Sequence, residues 1–277
     1  MTQQECTARW LAKNPNAQNE SSARWRAKNP NYMKDRHRLK RYGLTWKAYD
    51  EMLIRQQHRC LGCHEGLTQE SVVVDHDHIT NRIRGLLCRN CNWALGNVGD
   101  NRSRLYQLAA YLELDRSKPI IYLIGSLRNP KIVEVGNAIR SLEIECIDNW
   151  FATGEIADDA WRDYSKACGK SYKEALESRE ANHIFYFDKA YLNLCDAVVL
   201  LYPAGRSGHL ELGYAMGLGK PGYILIEEEH LPERYDVMAQ FATCGLFHEF
   251  DSLLGELATR YGAELQHIGN EANSSCG

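Results

Sequence analysis

Apolar positions change their spacing several times along the chain. Leu44, Tyr49, Met52 and Leu53 recur at helical intervals behind Thr45, whose hydroxyl can cap a first turn, so a helix is predicted from Thr45 through about Gln57. Ser71–Val74 reads as a strand and Arg82–Leu87 as its hairpin partner, with Thr80 and Asn81 in the turn and a helix beginning around Cys88–Asn92. Arg104–Leu114 is helix-like and leads into Ser117-Lys118-Pro119, a predicted linker. Beyond it the pattern alternates. Ile120–Ile124, Ile144–Ile147, Ala197–Tyr202 and Gly222–Ile226 read as strands, and Pro130–Leu142, a stretch ending near Leu194, Gly208–Leu218 and Ser252–Tyr261 as helices. Continuous β-branched runs separated by helices predict a parallel sheet covered on both faces. Trp150 and Trp161, in the long polar stretch between, are read as core residues.

The N-terminus carries an internal repeat, in which Ala8-Arg9-Trp10-Leu11-Ala12-Lys13-Asn14-Pro15-Asn16 returns as Ala23-Arg24-Trp25-Arg26-Ala27-Lys28-Asn29-Pro30-Asn31. Each copy predicts a short basic helix stopped at Asn-Pro. Arg and Lys interleaved with Trp10, Trp25 and Tyr32 suit a phosphate backbone. Charge supports this division of labour. Residues 1–115 hold 18 Lys and Arg against 12 Asp and Glu, and residues 116–277 hold 15 against 24. A basic front half and an acidic back half predict two modules with different partners. The expected limits are a basic DNA-contact arm over 1–43, a first domain over 44–115, a linker at 116–119, a second domain over 120–265 and a disordered tail at 266–277.

Cys60, Cys63, Cys88 and Cys91 form two Cys-x-x-Cys pairs with 24 residues between them. Four thiolates at this spacing complete a closed tetrahedral zinc site. The other six cysteines, Cys6, Cys146, Cys168, Cys195, Cys244 and Cys276, follow no pattern and read as reduced cytosolic thiols. Neither a membrane span nor a signal peptide is predicted, and a cytoplasmic location is expected.

Between the cysteine pairs lies Val74-Asp75-His76-Asp77-His78, followed by Arg84-Gly85-Leu86-Leu87-Cys88-x-x-Cys91-Asn92. This stretch closely resembles the recombination endonuclease VII family of His-metal-finger (HNH) nucleases. The resemblance implies a zinc-held ββα-metal module acting on DNA. Asp75 and Asn92 would bind a catalytic Mg²⁺, His76 would be the general base that activates water, and His78 would assist near the scissile phosphate. An imidazole titrating near the working pH and a hard, oxygen-ligated cation suit phosphodiester hydrolysis.

In the back half, Tyr122-Leu123-Ile124-Gly125-Ser126-Leu127-Arg128-Asn129 places a glycine turn, a hydroxyl and a guanidinium before a helix. Pro203-Ala204-Gly205-Arg206-Ser207-Gly208-His209-Leu210-Glu211-Leu212-Gly213-Tyr214-Ala215 follows a strand. The pattern resembles the nucleoside 2-deoxyribosyltransferase superfamily, including the 2-deoxynucleoside 5-monophosphate N-hydrolases, over roughly Pro119–Glu249. The resemblance implies an α/β Rossmann-like, flavodoxin-like domain. Glu211 would be the nucleophile at the anomeric carbon, Asp188 the acid on the departing base, and Tyr122 the residue that orients the glutamate. Gly125, Ser126, Arg128, Asn129 and Ser207 would bind substrate, with Ser126 and Arg128 on a 5′-phosphate. Where the transferases often have an aspartate six residues before the nucleophile, this chain has Gly205, which leaves hydrolysis and transfer both open.

The expected protein is therefore a nuclease fused to a nucleotide-processing domain, homo-oligomeric, with structural zinc and catalytic magnesium. Its place would be in phage DNA metabolism or anti-phage defence. Two alternatives stand beside it: a non-catalytic nucleotide sensor that gates the nuclease, and an NAD glycohydrolase.

Overall fold

The chain divides into two units between Asp100 and Asn101. The structure, a computed structural model, describes residues 2–4, 9, 10, 12, 17–29, 31–68, 70–233, 235 and 237–262. Most of the first repeat copy and the expected disordered tail lie outside these residues.

In the first unit, α1 (Ala17–Lys28) ends where the second repeat copy reaches Asn29. The Asn29 side chain and backbone N–H both donate to the Trp25 carbonyl, at 2.9 and 3.0 Å, closing the last turn. α2 (Tyr32–Tyr42) is closed by Gly43 in the left-handed region, φ 64°. This helix was expected to belong to the basic arm, yet it packs into the unit. The Arg38 guanidinium stacks 3.8 Å over the Tyr49 ring, and Tyr42 rests on the core of Leu44, Tyr49, Val74 and Leu86. α3 (Trp46–Arg55) is capped as predicted, with Thr45 Oγ1 accepting from the Ala48 N–H at 3.2 Å.

The hairpin pairs β1 (Val72–His76) with β2 (Ile83–Cys88) in antiparallel register. β1 runs two residues beyond its predicted end, so Asp75 and His76 are strand residues. Asp75 faces Gly85 whereas His76 faces Ile83, which leaves Arg84 as the extra residue of a β-bulge. A bulge bends the strand and re-aims one side chain, here Arg84. α4 (Arg89–Asn97) follows and packs against both strands.

The second unit begins with α5 (Arg102–Glu113), capped by Asn101 Oδ1 on the Arg104 N–H. It continues β3 (Ile120–Ile124), α6 (Lys131–Arg140), β4 (Glu145–Ile147), α7 (Ala157–Ala167), α8 (Tyr172–Leu176), α9 (Arg179–Leu194), β5 (Ala197–Leu201), α10 (Arg206–Gly217), β6 (Gly222–Leu225), β7 (Leu246–Phe247) and α11 (Phe250–Tyr261). The boundary falls earlier than the predicted linker because α5 packs along α9. Ala110 joins the second unit's core, Tyr191 donates its hydroxyl to the Glu113 carboxylate, and Asn193 Nδ2 donates to Gln107 Oε1 at 2.9 Å.

The five strands are all parallel, in the order β4-β3-β5-β6-β7. Every residue of β3, β5 and β6 is buried, as unbroken apolar runs require. Ile120, Tyr122, Ile124, Val198 and Leu200 face α5, α9 and α10. Ile121, Leu123, Val199 and Leu201 face α6 and α11. α10 comes close to the sheet at Gly208, where an added Cβ would stand 3.1 Å from Ile124 and 3.2 Å from Leu200. Trp150 is packed against the core as expected, and its indole N–H donates to the Leu123 carbonyl at 2.9 Å. Among the described residues no helix is long and apolar enough to cross a membrane.

Candidate functional site

The four paired cysteines converge, their sulfurs all lying within 4.8 Å of one another. Cys63 and Cys88 Sγ are 3.8 Å apart, the edge expected of a tetrahedron with Zn–S bonds of about 2.3 Å. Backbone N–H groups of Gly62 and Cys88 point at Cys60 Sγ, at 3.3 and 3.1 Å. Burial alone raises the Cys60 thiol, but the N–H groups of Cys88, Cys63 and Gly62 outweigh it and bring it down to about 6. Cys91 is pushed up, first by burial and then by its thiol neighbours. Four sulfurs this close cannot all ionise without a cation among them, so the donor set fits zinc. Gln56 braces the knuckle. Its Nε2 donates to the Leu86 carbonyl at 2.9 Å and its Oε1 accepts from the Leu86 N–H at 2.9 Å, so the amide pairs like a third strand.

Beside the cysteines, the bulged end of the hairpin gathers His76, His78, Asp75 and Arg84. The His76 ring meets His78 edge-on, with centroids 4.9 Å apart, and Tyr42 at 5.2 Å. Asp75 is buried, and Arg84 Nε and Nη2 donate to its two oxygens at 2.7 and 2.8 Å. Arg84 Nη2 also reaches Asp100 Oδ1 at 3.0 Å, and Asp100 Oδ2 lies 2.7 Å from His78 Nδ1. Hydrogen bonds to Arg84, and then to His78, hold the Asp100 carboxyl below its usual range. Asp77 accepts from the N–H groups of Ile79 and Thr80 at 3.0 and 2.7 Å and so closes the hairpin turn.

Asn92 is half-buried in the first turns of α4. One carboxylate and one amide suit a Mg²⁺ that keeps most of its water and leans on substrate phosphate. Arg84 donates one hydrogen bond to each oxygen of Asp75, so a cation there would share those oxygens with the guanidinium and feel its charge. Neither Arg84 nor Asp100 was singled out in the sequence. Arg84 lies inside the matching stretch, whereas Asp100 carried no signal. A groove of about 630 Å³, lined by Lys34, His37, Arg38 and Arg89 among others, extends to Tyr42, which touches His76.

In the second unit Tyr122, Asp188 and Glu211 come together from β3, α9 and α10. Tyr122 is 2% exposed, and its hydroxyl is close enough to both Asp188 and Glu211 to feel their charges; burial, and then those charges, raise it. Burial raises Asp188 to about 6, and the nearby Tyr122 hydroxyl pulls it the other way. Burial, and then the Asp188 charge, raises Glu211 to about 8.

The expected substrate residues fare unevenly. Asn129 is 2% exposed and bonded internally: its Nδ2 donates to the Tyr202 carbonyl and its Oδ1 accepts from the Lys131 N–H, each at 3.0 Å. It ties the turn after β3 to the end of β5. Arg128 is paired with Asp159 at 3.0 Å, which reduces its appeal to a phosphate. Ser126 Oγ accepts from the Arg128 N–H at 3.2 Å. Gly125 lies on Ile132, where an added Cβ would meet Cδ1 at 2.4 Å, so its lack of a side chain serves packing. Ser207 is exposed in the first turn of α10. A separate cavity of about 610 Å³ takes Tyr202, His209, Met216 and Phe241 in its lining, without Glu211 or Asp188.

With this geometry in hand, comparison with known proteins singles out the front of the chain. Residues 35–114 match the recombination endonuclease VII family. The Gene 59 protein of Mycobacterium phage D29 is 36% identical over 89 residues, covering 31% of this chain and 52% of that protein. Its counterpart in Mycobacterium phage L5 is 34% identical over 89 residues with the same coverage. The chain thus spans about half the length of these curated relatives. The likeness places an endonuclease VII-like segment, carrying both cysteine pairs and the Asp75–His78 run, at the front of a longer chain.

Proposed function

We propose that the chain is a DNA endonuclease, held by zinc and dependent on Mg²⁺, fused to an enzyme that acts on the N-glycosidic bond of a nucleotide or nucleoside. The observation that carries the nuclease is the pair of histidine rings, 4.9 Å apart at a bulged strand end beside buried Asp75, within the segment matching the endonuclease VII family. Its zinc-held hairpin and α4 are read as a ββα-metal module. His76, whose ring packs between Tyr42 and His78, takes the proton of the attacking water. His78 lies nearby with its side chain 63% exposed, where a phosphate can reach it. Asp75 and Asn92 would hold Mg²⁺, which supplies charge stabilisation at the phosphate. The basic groove leading to Tyr42 suits the flanking backbone phosphates.

In the second unit the sheet order and its reversal at β3/β5 support a flavodoxin-like reading, with ligand at the carboxyl ends of the strands. The carboxyl pair around Tyr122 supports glycosidic chemistry. Two carboxyls held at different pKa values are the arrangement used to protonate one group and attack with another. In the free site Asp188 ionises first and the remaining proton favours Glu211. Passing that proton from Glu211 to Asp188 would create the nucleophile and the acid for the departing base in one step.

The test is a panel of deoxynucleoside monophosphates, ribonucleoside monophosphates and NAD, together with plasmid, with and without Mg²⁺. Wild type is expected to release base and to cut plasmid only with Mg²⁺. Glu211→Ala is expected to keep the cutting and lose the release. No base release from any of these compounds would assign the second unit to ligand binding alone.

A further inference from the structure

Asp100 is the last residue of the first unit, and the proposed chemistry makes no use of it. Its carboxylate nevertheless has two partners at the histidine cluster, His78 Nδ1 at 2.7 Å and Arg84 Nη2 at 3.0 Å. Arg84 continues to both oxygens of Asp75, so His78, Asp100, Arg84 and Asp75 form one unbroken chain of hydrogen bonds. The backbone is bent to bring this about. Gly99 and Asp100 are successive left-handed residues, with φ of 65° and 53°, and the Asp100 N–H closes onto the Leu95 carbonyl at 3.0 Å. A residue with a Cβ adopts that conformation at a cost, and such strain tends to persist where a side chain has work to do.

We propose, resting on the nuclease reading, that Asp100 is a positioning residue for His78. By accepting from Nδ1–H it fixes the tautomer that leaves Nε2 for the phosphate, and through Arg84 it locks that orientation to Asp75. A histidine nitrogen is set by the hydrogen bond its ring partner makes, and a carboxylate is the strongest such partner. The alternative role, shaping the turn, needs only a residue tolerant of positive φ.

Asp100→Gly separates the two roles, because glycine keeps the left-handed turn and removes the carboxylate. The full-length, zinc-loaded protein is labelled with ¹⁵N-histidine, and long-range ¹H–¹⁵N spectra are recorded at about pH 8.5, where imidazole is ordinarily neutral. His78→Gln assigns the signal. Wild-type His78 is expected as the Nδ1-protonated tautomer, and Asp100→Gly is expected to shift it toward the Nε2-protonated form. For plasmid cleavage kcat should fall roughly 10- to 100-fold, with KM within about threefold and zinc content unchanged, the range seen when a partner that orients a histidine is removed. An unchanged His78 tautomer in Asp100→Gly overturns the proposal. Should wild type not cut DNA, the spectra alone decide the positioning role, and the nuclease reading falls separately.

Discussion

Arg84 grips the Asp75 carboxylate with two hydrogen bonds, Nε to Oδ2 at 2.7 Å and Nη2 to Oδ1 at 2.8 Å. The carboxylate is 9% exposed, so Arg84 is its main compensation. Removing one member of a buried pair leaves an uncompensated charge and costs about 3–5 kcal/mol. Arg84→Ala is therefore expected to lower the unfolding free energy of the first unit by about 3 kcal/mol in denaturant melts. Because Arg84 competes for the same oxygens, millimolar Mg²⁺ should raise the Tm of Arg84→Ala more than that of wild type. Equal Mg²⁺ responses would show that Arg84 does not oppose an ion at Asp75.

Zinc removal should act on one unit alone. The cysteine cluster joins the end of the knuckle to the start of α4, where Cys88 Sγ also accepts from the Cys91 N–H at 3.4 Å. A chelator should release one zinc per chain and abolish the first unit's cooperative melting, with the second unit's transition intact. Metal analysis and calorimetry read both. Retained melting of the first unit after full zinc loss contradicts a structural role.

Much of this was legible because short-range patterns report short-range chemistry. The Cys-x-x-Cys pairs and the Asp75-His76 run are contiguous in sequence, and Ile120–Ile124 and Ala197–Leu201 are apolar at every position because both faces are covered. What stayed hidden depends on long-range geometry. Arg84 reaches Asp75 because the register shifts at a bulge, which no periodicity encodes. Asn129 reads from sequence as a ligand residue, and only the fold shows its amide tying the Tyr202 carbonyl to the Lys131 N–H. α5 resembles the end of the first module until its packing on α9 assigns it to the second. α7 lies in a polar stretch, although Ala157, Ala160, Trp161 and Tyr164 share one face at helical spacing, whereas α8, five residues long, and β7, two residues long, are too short to give a pattern.

Gln56 offers a test of the bracing. Its amide satisfies both the N–H and the carbonyl of Leu86, itself fully buried. Gln56→Ala leaves the Leu86 N–H unpaired, while the Leu86 carbonyl keeps the Leu61 N–H at 3.3 Å, and is expected to destabilise the first unit by about 1–3 kcal/mol. Urea titration measures it, and a change below about 0.5 kcal/mol would mean that water replaces the amide freely.

The carboxyl pair predicts a pH dependence of stability. Glu211 is raised from 4.5 to about 8 and Asp188 from 3.8 to about 6, so the folded chain holds protons that the unfolded chain has released. Their favourable contribution is complete below the unfolded values and is lost as pH rises through the folded ones. Glu211→Gln removes the larger part of this loss. Its Tm should approach that of wild type near pH 4.5 and exceed it increasingly up to pH 8, by several degrees for about 2 kcal/mol in a unit of this size. A Tm difference that stays constant across that range contradicts the half-buried, protonated glutamate.

The nuclease assignment rests on His76 more than on any other residue, and Mg²⁺-dependent cleavage of supercoiled plasmid by His76→Ala measures it most directly. Removing a general base costs about 10²–10⁴-fold in rate. His76→Ala is expected to lose cleavage by at least 100-fold, while zinc content and the first unit's melting stay as in wild type. Undiminished cutting by a folded, zinc-loaded His76→Ala protein would contradict the account.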